Sequence, residues 1–321
     1  MSEQPELTVV LVVGPRRERG AEALASILAE AEETPLTVMV MDYEEDVTRI
    51  AGADHPAVQY RRLEGGAHFG AARAAAARAA STPYIAYVEE HARVLPGWAR
   101  AVVRAFREGP WAGVGFEVHN GNPGVGRGWI TGMMSYGMFM PPLPRGETTF
   151  ISGHNSAYRR DALLHYGARL DDLMLADMGL FVAMRRDGFR LFLEPDAKMV
   201  HRNETTLSAT LRAYGSYHRI YGASRAHEGG WSMLRRLAYV AAAPIIPIYY
   251  TVRFARFLLR RSPGDVPRFL LNAPYVYLAQ LVGAGAQAMG LVLGPGDAPY
   301  RFSAFEVSEP RPTGAHGGDS R

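Results

Sequence analysis

The hydrophobic pattern of the chain changes period again and again over its first 110 residues. Leu7–Val13 is a continuous apolar, β-branched run, the mark of a strand buried on both faces. Gly14-Pro15-Arg16-Arg17 breaks it, and residues 21–31 then show the spacing of an amphipathic helix. Leu36–Met41 is a second buried strand ending at Asp42, and residues 58–63 are a shorter third. Residues 69–80 are rich in Ala, the strongest helix former. Residues 84–88 form a fourth strand running into Glu89-Glu90-His91, and Pro96-Gly97-Trp98 opens the next helix. Alternation of this kind predicts an α/β domain with an open, mostly parallel sheet flanked by helices. Right-handed crossovers gather the strand carboxyl ends on one edge, where such sheets bind ligands.

Beyond residue 110 the pattern weakens. Residues 109–128 read as Gly-, Asn- and Pro-rich loops around one strand at 113–118. Further strands are predicted at 150–158, 189–193 and 197–201, with helices at 160–166 and 175–187. Two apolar stretches follow: residues 237–252, interrupted by Pro244 and Pro247, and residues 269–296, which carry no charge. The second exceeds the roughly 20 residues needed to cross a bilayer. Arg253, Arg256, Arg260, Arg261 and Arg268 lie between them. If both stretches crossed, this basic loop would face outward, against the positive-inside tendency. The first stretch is therefore expected to lie in the interface or re-enter it, with its arginines near anionic headgroups. The second either spans or lies in the interface. The competing reading is a pair of buried helices packed on the domain. The expected organisation is a catalytic domain over residues 1–230, a membrane-associated helical segment over 231–300, and a polar, disordered tail over 301–321.

Composition narrows the function classes. The 321 residues are 48% hydrophobic and 21% charged, with a net charge of +3. No dense basic patch interleaved with aromatics occurs in the first 230 residues, so nucleic acid is not the expected partner. The absence of cysteine excludes disulfides, thiolate metal sites and a cysteine nucleophile. The acidic, polar start is unlike a signal peptide, which puts the catalytic part at the cytoplasmic face of a membrane.

Three features carry candidate chemistry. Asp42 ends the second strand; an aspartate there is either a turn former or an acceptor for the base or ribose of a nucleotide. Glu89-Glu90-His91 crowds two carboxylates and an imidazole at the binding edge, which is costly unless a cation relieves it. Oxygen and imidazole ligands suit Mn²⁺ or a similar divalent ion, here Mn²⁺ or Mg²⁺, able to neutralise a diphosphate. The third is Gly153-His154-Asn155, followed by Asp177 at the start of a helix and His201 at the end of a strand. Asp177 is either a dipole-stabilised cap or a catalytic carboxylate.

Taken in order, these residues resemble family 2 glycosyltransferases over roughly residues 6–205. The elements are a strand ending in Asp, an acidic triplet before a Pro, Gly-x-Asn-x-x-x-Arg-Arg, x-Asp, Gly-Phe-Arg and Val-x-His. The resemblance implies a GT-A, Rossmann-like fold with C-terminal apolar helices, and inverting transfer from a nucleotide diphosphate sugar to an acceptor hydroxyl. It puts Gly14, Asp42, Arg73 and Glu90 at the nucleotide, and Glu89, His91 and His201 at the metal. It puts Gly153, His154 and Asn155 in the acceptor region and makes Asp177 the base. The segment 214–225 is similar to the aromatic, Arg-containing stretch before the membrane helices of many members. Gly14-Pro15-Arg16-Arg17 stands where the family has Pro-Thr-x-Asn, Tyr43-Glu44-Glu45-Asp46 replaces Asp-Gly-Ser-Thr, Glu89-Glu90-His91 replaces Asp-x-Asp, and Ala176 replaces a Glu. The apolar C-terminus points to a glycan or lipid-linked acceptor and to membrane lipid as a partner. A degenerate member that binds nucleotide sugar without turnover, a membrane scaffold and a nucleotidyltransferase are the alternative readings.

Overall fold

The computed structural model describes residues 4–44, 48–63, 67–175 and 177–311. Glu45, Asp46, Ala176 and the final ten residues, on which parts of the sequence reading fall, lie outside them. The chain runs β1 (Leu7–Val13), α1 (Arg17–Ala31), β2 (Leu36–Asp42), β3 (Val58–Arg62), α2 (Phe69–Ala79), β4 (Tyr84–Glu89), β5 (Ala92–Val94), α3 (Trp98–Glu108) and β6 (Trp111–Asn120). It continues through α4 (Gly128–Tyr136), β7 (Gly146–Thr148), β8 (Ser156–Arg159), α5 (Arg160–Leu164), α6 (Leu170–Leu173), α7 (Asp177–Arg186) and β9 (Arg190–His201). The C-terminal helices are α8 (Leu207–Glu228), α9 (Met233–Ala242), α10 (Ile246–Arg261), α11 (Val266–Leu271), α12 (Ala273–Leu293) and α13 (Ala298–Ser308).

The described strands form one sheet ordered β3-β2-β1-β4-β8-β6-β9-β5, with β7 beside β9. β1, β2, β3 and β4 are parallel, β8 is antiparallel to β4 and β6, and β9 runs parallel to β6. The strand period of two sends alternate residues of β1 to opposite faces. Leu7, Val9, Leu11 and Val13 join one core with α1 and α3, whereas Val10 and Val12 join another with α2 and α5 to α7. This mixed α/β architecture is a GT-A fold.

Sequence and structure differ in definite places. The strands expected at 189–193 and 197–201 are one strand, β9, whose register against β6 shifts between Phe116 and Glu117. The extra residues of such a bulge are absorbed without ending the strand, so the Pro195 region is not a break. The strand expected over 150–158 is confined to Ser156–Arg159. α4 lies in a region of weak pattern and was not foreseen. The expected disordered tail is corrected at its start: α13 is helical to Ser308 and buries Phe302, Phe305 and Val307.

α8 and α12 pack along their lengths because glycines let their backbones approach. A Cβ on Gly222 would meet the Gln287 carbonyl oxygen at 2.4 Å, and one on Gly290 would meet that of Arg219 at 2.1 Å. α12 is the one helix among the described residues long and apolar enough to cross a membrane, with 44% of its most apolar window buried inside the protein. α9 and α10 are bent by 71° at their junction. Leu234, Ile245, Leu259, Leu271 and Leu293 are exposed on these C-terminal helices.

Candidate active site

β4 delivers Glu89 to the strand edge, and the tight turn into β5 sends Glu90 to one side and Glu89 and His91 to the other. β9 pairs with β5 so that His201 lies opposite Ala92. Glu89, His91 and His201 are thereby brought together, and one ligand atom from each lies within 4.8 Å of the others. All three are buried.

The sequence Gly153-His154-Asn155 acquires a physical reason here. Asn155 clamps Glu89 from two directions: its Oδ1 accepts the Glu89 backbone N–H at 3.0 Å, and its Nδ2 donates to Glu89 Oε2. Tyr136 also donates to Glu89 Oε2 at 3.0 Å. The His154 ring bridges two carboxylates, with Nδ1 3.1 Å from Glu89 Oε1 and Nε2 3.6 Å from Asp177 Oδ1. Gly153 admits the Asp177 side chain, since a Cβ there would fall 1.6 Å from Asp177 Cγ. Tyr217 from α8 is buried and near enough to Asp177 that this carboxylate adds to burial in raising the tyrosine pKa.

Electrostatics follow from this packing. Burial alone would raise the Glu89 pKa, but His91, His154 and His201 outweigh it and hold the carboxyl well below its usual range. Burial, and next the charge of Arg311, push His91 far down, so its ring is neutral as metal ligation requires. Neither nitrogen of His91 has a hydrogen-bond partner. Burial opposes the charged form of His154, yet Asp177 and Glu89 together raise its pKa. Two imidazoles and one carboxylate fit a divalent transition ion, and the orphaned His91 nitrogens supply the open valence such an ion fills.

Asp177, with a side chain 16% exposed against 4% for Glu89, faces a cavity of about 460 Å³. Glu89, His154 and His201 line the same space, together with Tyr217 and Tyr250 from the C-terminal helices. These helices are thus walls of the site as well as an appendage.

The residues expected at the nucleotide are engaged by groups of the chain itself. Asp42 accepts from Arg17 at 2.8 and 2.7 Å and from the Tyr60 hydroxyl. Burial would raise its pKa, but these donors and the Glu44 backbone N–H hold it down. Glu90 pairs with Arg19 and accepts the Gly14 N–H at 3.0 Å. Arg73 is 1% exposed, with Nη1 4.0 Å from Asp177 Oδ1. Its Nη1 donates to the Met174 carbonyl at 2.9 Å, its Nη2 to that of Gly153, and its guanidinium lies 4.3 Å from the Tyr87 ring centre. It buttresses the Gly153 loop, because α2 turns it into the core between sheet and loop.

Sequence reading missed Tyr136, Glu204, Phe302, Glu306 and Arg311, which line the cavity. Tyr217 lay within the aromatic stretch already singled out. The spacing of Phe302 and Glu306, one helical turn apart, was the available signal for α13.

The chain matches the model of glycosyl transferase family 2 over residues 12–167. No curated protein sequence matches it. Among solved structures it is similar to GalNAc-T7 with UDP, GalNAc and Mn²⁺, at 13% identity and a TM-score of 0.46, covering 61% of this chain and 42% of that one. It is also similar to residues 1–349 of TarS from S. aureus, at 14% identity and a TM-score of 0.50, covering 94% of this chain and 90% of that one.

Proposed function

We propose that this chain, which matches the glycosyl transferase family 2 model over residues 12–167, moves a sugar from a nucleotide diphosphate donor to an acceptor hydroxyl in a single inverting displacement. The observation that carries this reading is the Asp177 carboxylate, facing the cavity and joined through His154 to Glu89. Asp177 takes the proton of the acceptor hydroxyl as that oxygen attacks the anomeric carbon. His154 fixes the orientation of its carboxylate, and Asn155 fixes that of Glu89. Glu89, His91 and His201 would hold a divalent ion, which supplies positive charge to the departing diphosphate. The aromatic walls from α8 and α10 exclude water, and Tyr217 and Tyr250 offer flat faces to a glycan.

The acceptor side supports a lipid-linked or cell-envelope glycan. The cavity is lined by Tyr250, Arg253, Phe254 and Phe257 of α10, the helix that also exposes Ile248, Tyr249 and Leu259. An apolar face with arginines beside it is suited to a membrane surface rich in anionic lipid, here the cytoplasmic one.

The test is calorimetric titration of the whole protein with UDP, GDP and dTDP, with and without Mn²⁺, followed by donor turnover. Metal-dependent binding of one nucleotide, with turnover of its sugar conjugate, is the expected result. Binding that ignores Mn²⁺ removes the metal role of Glu89, His91 and His201. The self-satisfied Asp42 and Glu90 favour a second reading, a member that holds donor without turnover; nucleotide binding with no turnover of any donor sugar would establish it instead.

A further inference from the structure

The groups assigned to the nucleotide are covered by a segment of the chain itself. α13 and the residues after it, 298–311, lie across the carboxyl edge of β1 and β4. Val307 sits against Gly14, and a Cβ on that glycine would meet Val307 Cβ at 2.4 Å. Arg19, the partner of Glu90, also donates to the Glu306 and Val307 carbonyls at 3.1 Å each and to that of Glu309 at 2.7 Å. Arg16 donates to the Ser308 carbonyl at 3.1 Å. These arginines satisfy the last carbonyls of the helix, the usual place for cations at a helix C-terminus. Phe302 packs 5.6 Å from the His154 ring. Arg311 is buried, 3.0 Å from Glu306 and 3.4 Å from Glu204. Its positive charge also acts on Glu89 and His91, two of the groups that would hold a divalent ion. Gly294-Pro295-Gly296 joins this segment to α12, with φ of +76° and +54° at the two glycines, a backbone that glycine adopts without strain.

We propose that residues 298–311 are an intramolecular competitor of the donor, with Val307 in the place of the nucleoside at Gly14 and Arg311 in the place of the cation beside Glu89. The inference rests on the donor reading above, since it names what the donor must displace. The segment swings on the Gly294–Gly296 link, and the nucleotide with its metal takes over the contacts of Gly14, Glu90 and Glu89. Apparent donor affinity is then the intrinsic affinity scaled by the fraction of molecules in which the segment is away.

The chain has no cysteine, so two introduced thiols can be joined without interference. In the full-length Arg16→Cys/Ser308→Cys protein, a short bis-maleimide ties the segment down, and the same protein capped with a monofunctional maleimide is the control. Calorimetry with UDP, GDP and dTDP in Mn²⁺ should give at least about tenfold weaker binding for the tied protein. Phe305→Ala, which loosens the segment without touching the strand edge, should bind about tenfold more tightly than wild type. Hydrogen exchange supplies a second readout: amides of 300–309 should exchange faster when nucleotide is added. Equal affinity in tied and capped protein overturns the proposal and leaves the donor reading intact. Slower exchange with nucleotide also overturns it, because the segment would then be closing over the donor. Absence of nucleotide binding in every folded variant overturns both.

Discussion

At the nucleoside end of the strand edge, Asp42, Glu90 and Gly14 are each met by groups of the chain itself: Arg17 and Tyr60, Arg19, and Val307. At the other end, neither ring nitrogen of His91 has a hydrogen bond, although Nε2 lies 3.4 Å from Glu89 Oε2, and Asp177 opens on a cavity. Both ends derive from strand termini of one sheet, yet one has its polar valences closed and the other has them open. Burial with full pairing makes a polar group a structural element, whereas burial with an orphaned valence implies a ligand. Similarity of motif does not separate the two cases, because the residue type is the same in both.

The contrast can be broken most sharply at Asp177. Asp177→Asn should lower turnover by about 10²–10⁴-fold while leaving nucleotide affinity unchanged. Wild-type turnover in this variant would remove the base from the open end. Next, Asn155→Ala frees the Glu89 carboxylate from its clamp and should weaken Mn²⁺ binding by about 10–100-fold, the range for loss of a partner that orients a ligand. Titration of Mn²⁺ alone checks this without turnover, and unchanged affinity would leave Glu89 outside any metal site. On the apolar helices, Leu234→Asp with Leu271→Asp should reduce binding to anionic vesicles by about tenfold or more, by the usual worth of an exposed Leu entering lipid. These side chains are 79% and 83% exposed, so the unfolding midpoint should hold while vesicle binding falls.

The smallest effect concerns Asp42. Its folded pKa is depressed below 3.8, so it contributes stability that is present above pH about 3.8 and is lost as pH falls through the lower folded value. Arg17→Met removes the foremost group holding it down, and burial then pushes the pKa back up. Denaturant midpoints between pH 5 and pH 2 should therefore decline less steeply in the variant than in wild type. Parallel decline would mean that Arg17 does not hold the carboxylate.

β1, β2 and β4 were legible because both faces of each are covered, which writes a continuous apolar run into the sequence. The meeting of Glu89, His91 and His201 was legible for a related reason: strand ends in such a sheet converge on one edge. β5, β7 and α4 were not, being short or embedded in glycine-rich sequence where no period accumulates. The contacts of Arg73 with the Met174 and Gly153 carbonyls were not legible, because a helix motif does not reveal which way the helix turns its charged residue. The tail misled through composition. α13 buries Ser303 and Glu306 along with Phe302 and Phe305, and the Ser308 and Glu309 carbonyls and the Glu309 carboxylate at its end tie to Arg16, Arg19 and Arg212.

The site also has a history in time. Glu89 leaves the ribosome before Asp177, His201 after it, and the α8 and α12 walls of the cavity later still. The glycine-mediated contact of α8 with α12 can form only after residue 290 has emerged. A nascent chain long enough to complete the sheet still lacks the far wall of its chamber, so Asp177 stays open to bulk water until residue 290 has emerged. Because domains fold amino-terminal part first during translation, prematurely ended chains would carry a folded sheet without an enclosed place for reaction.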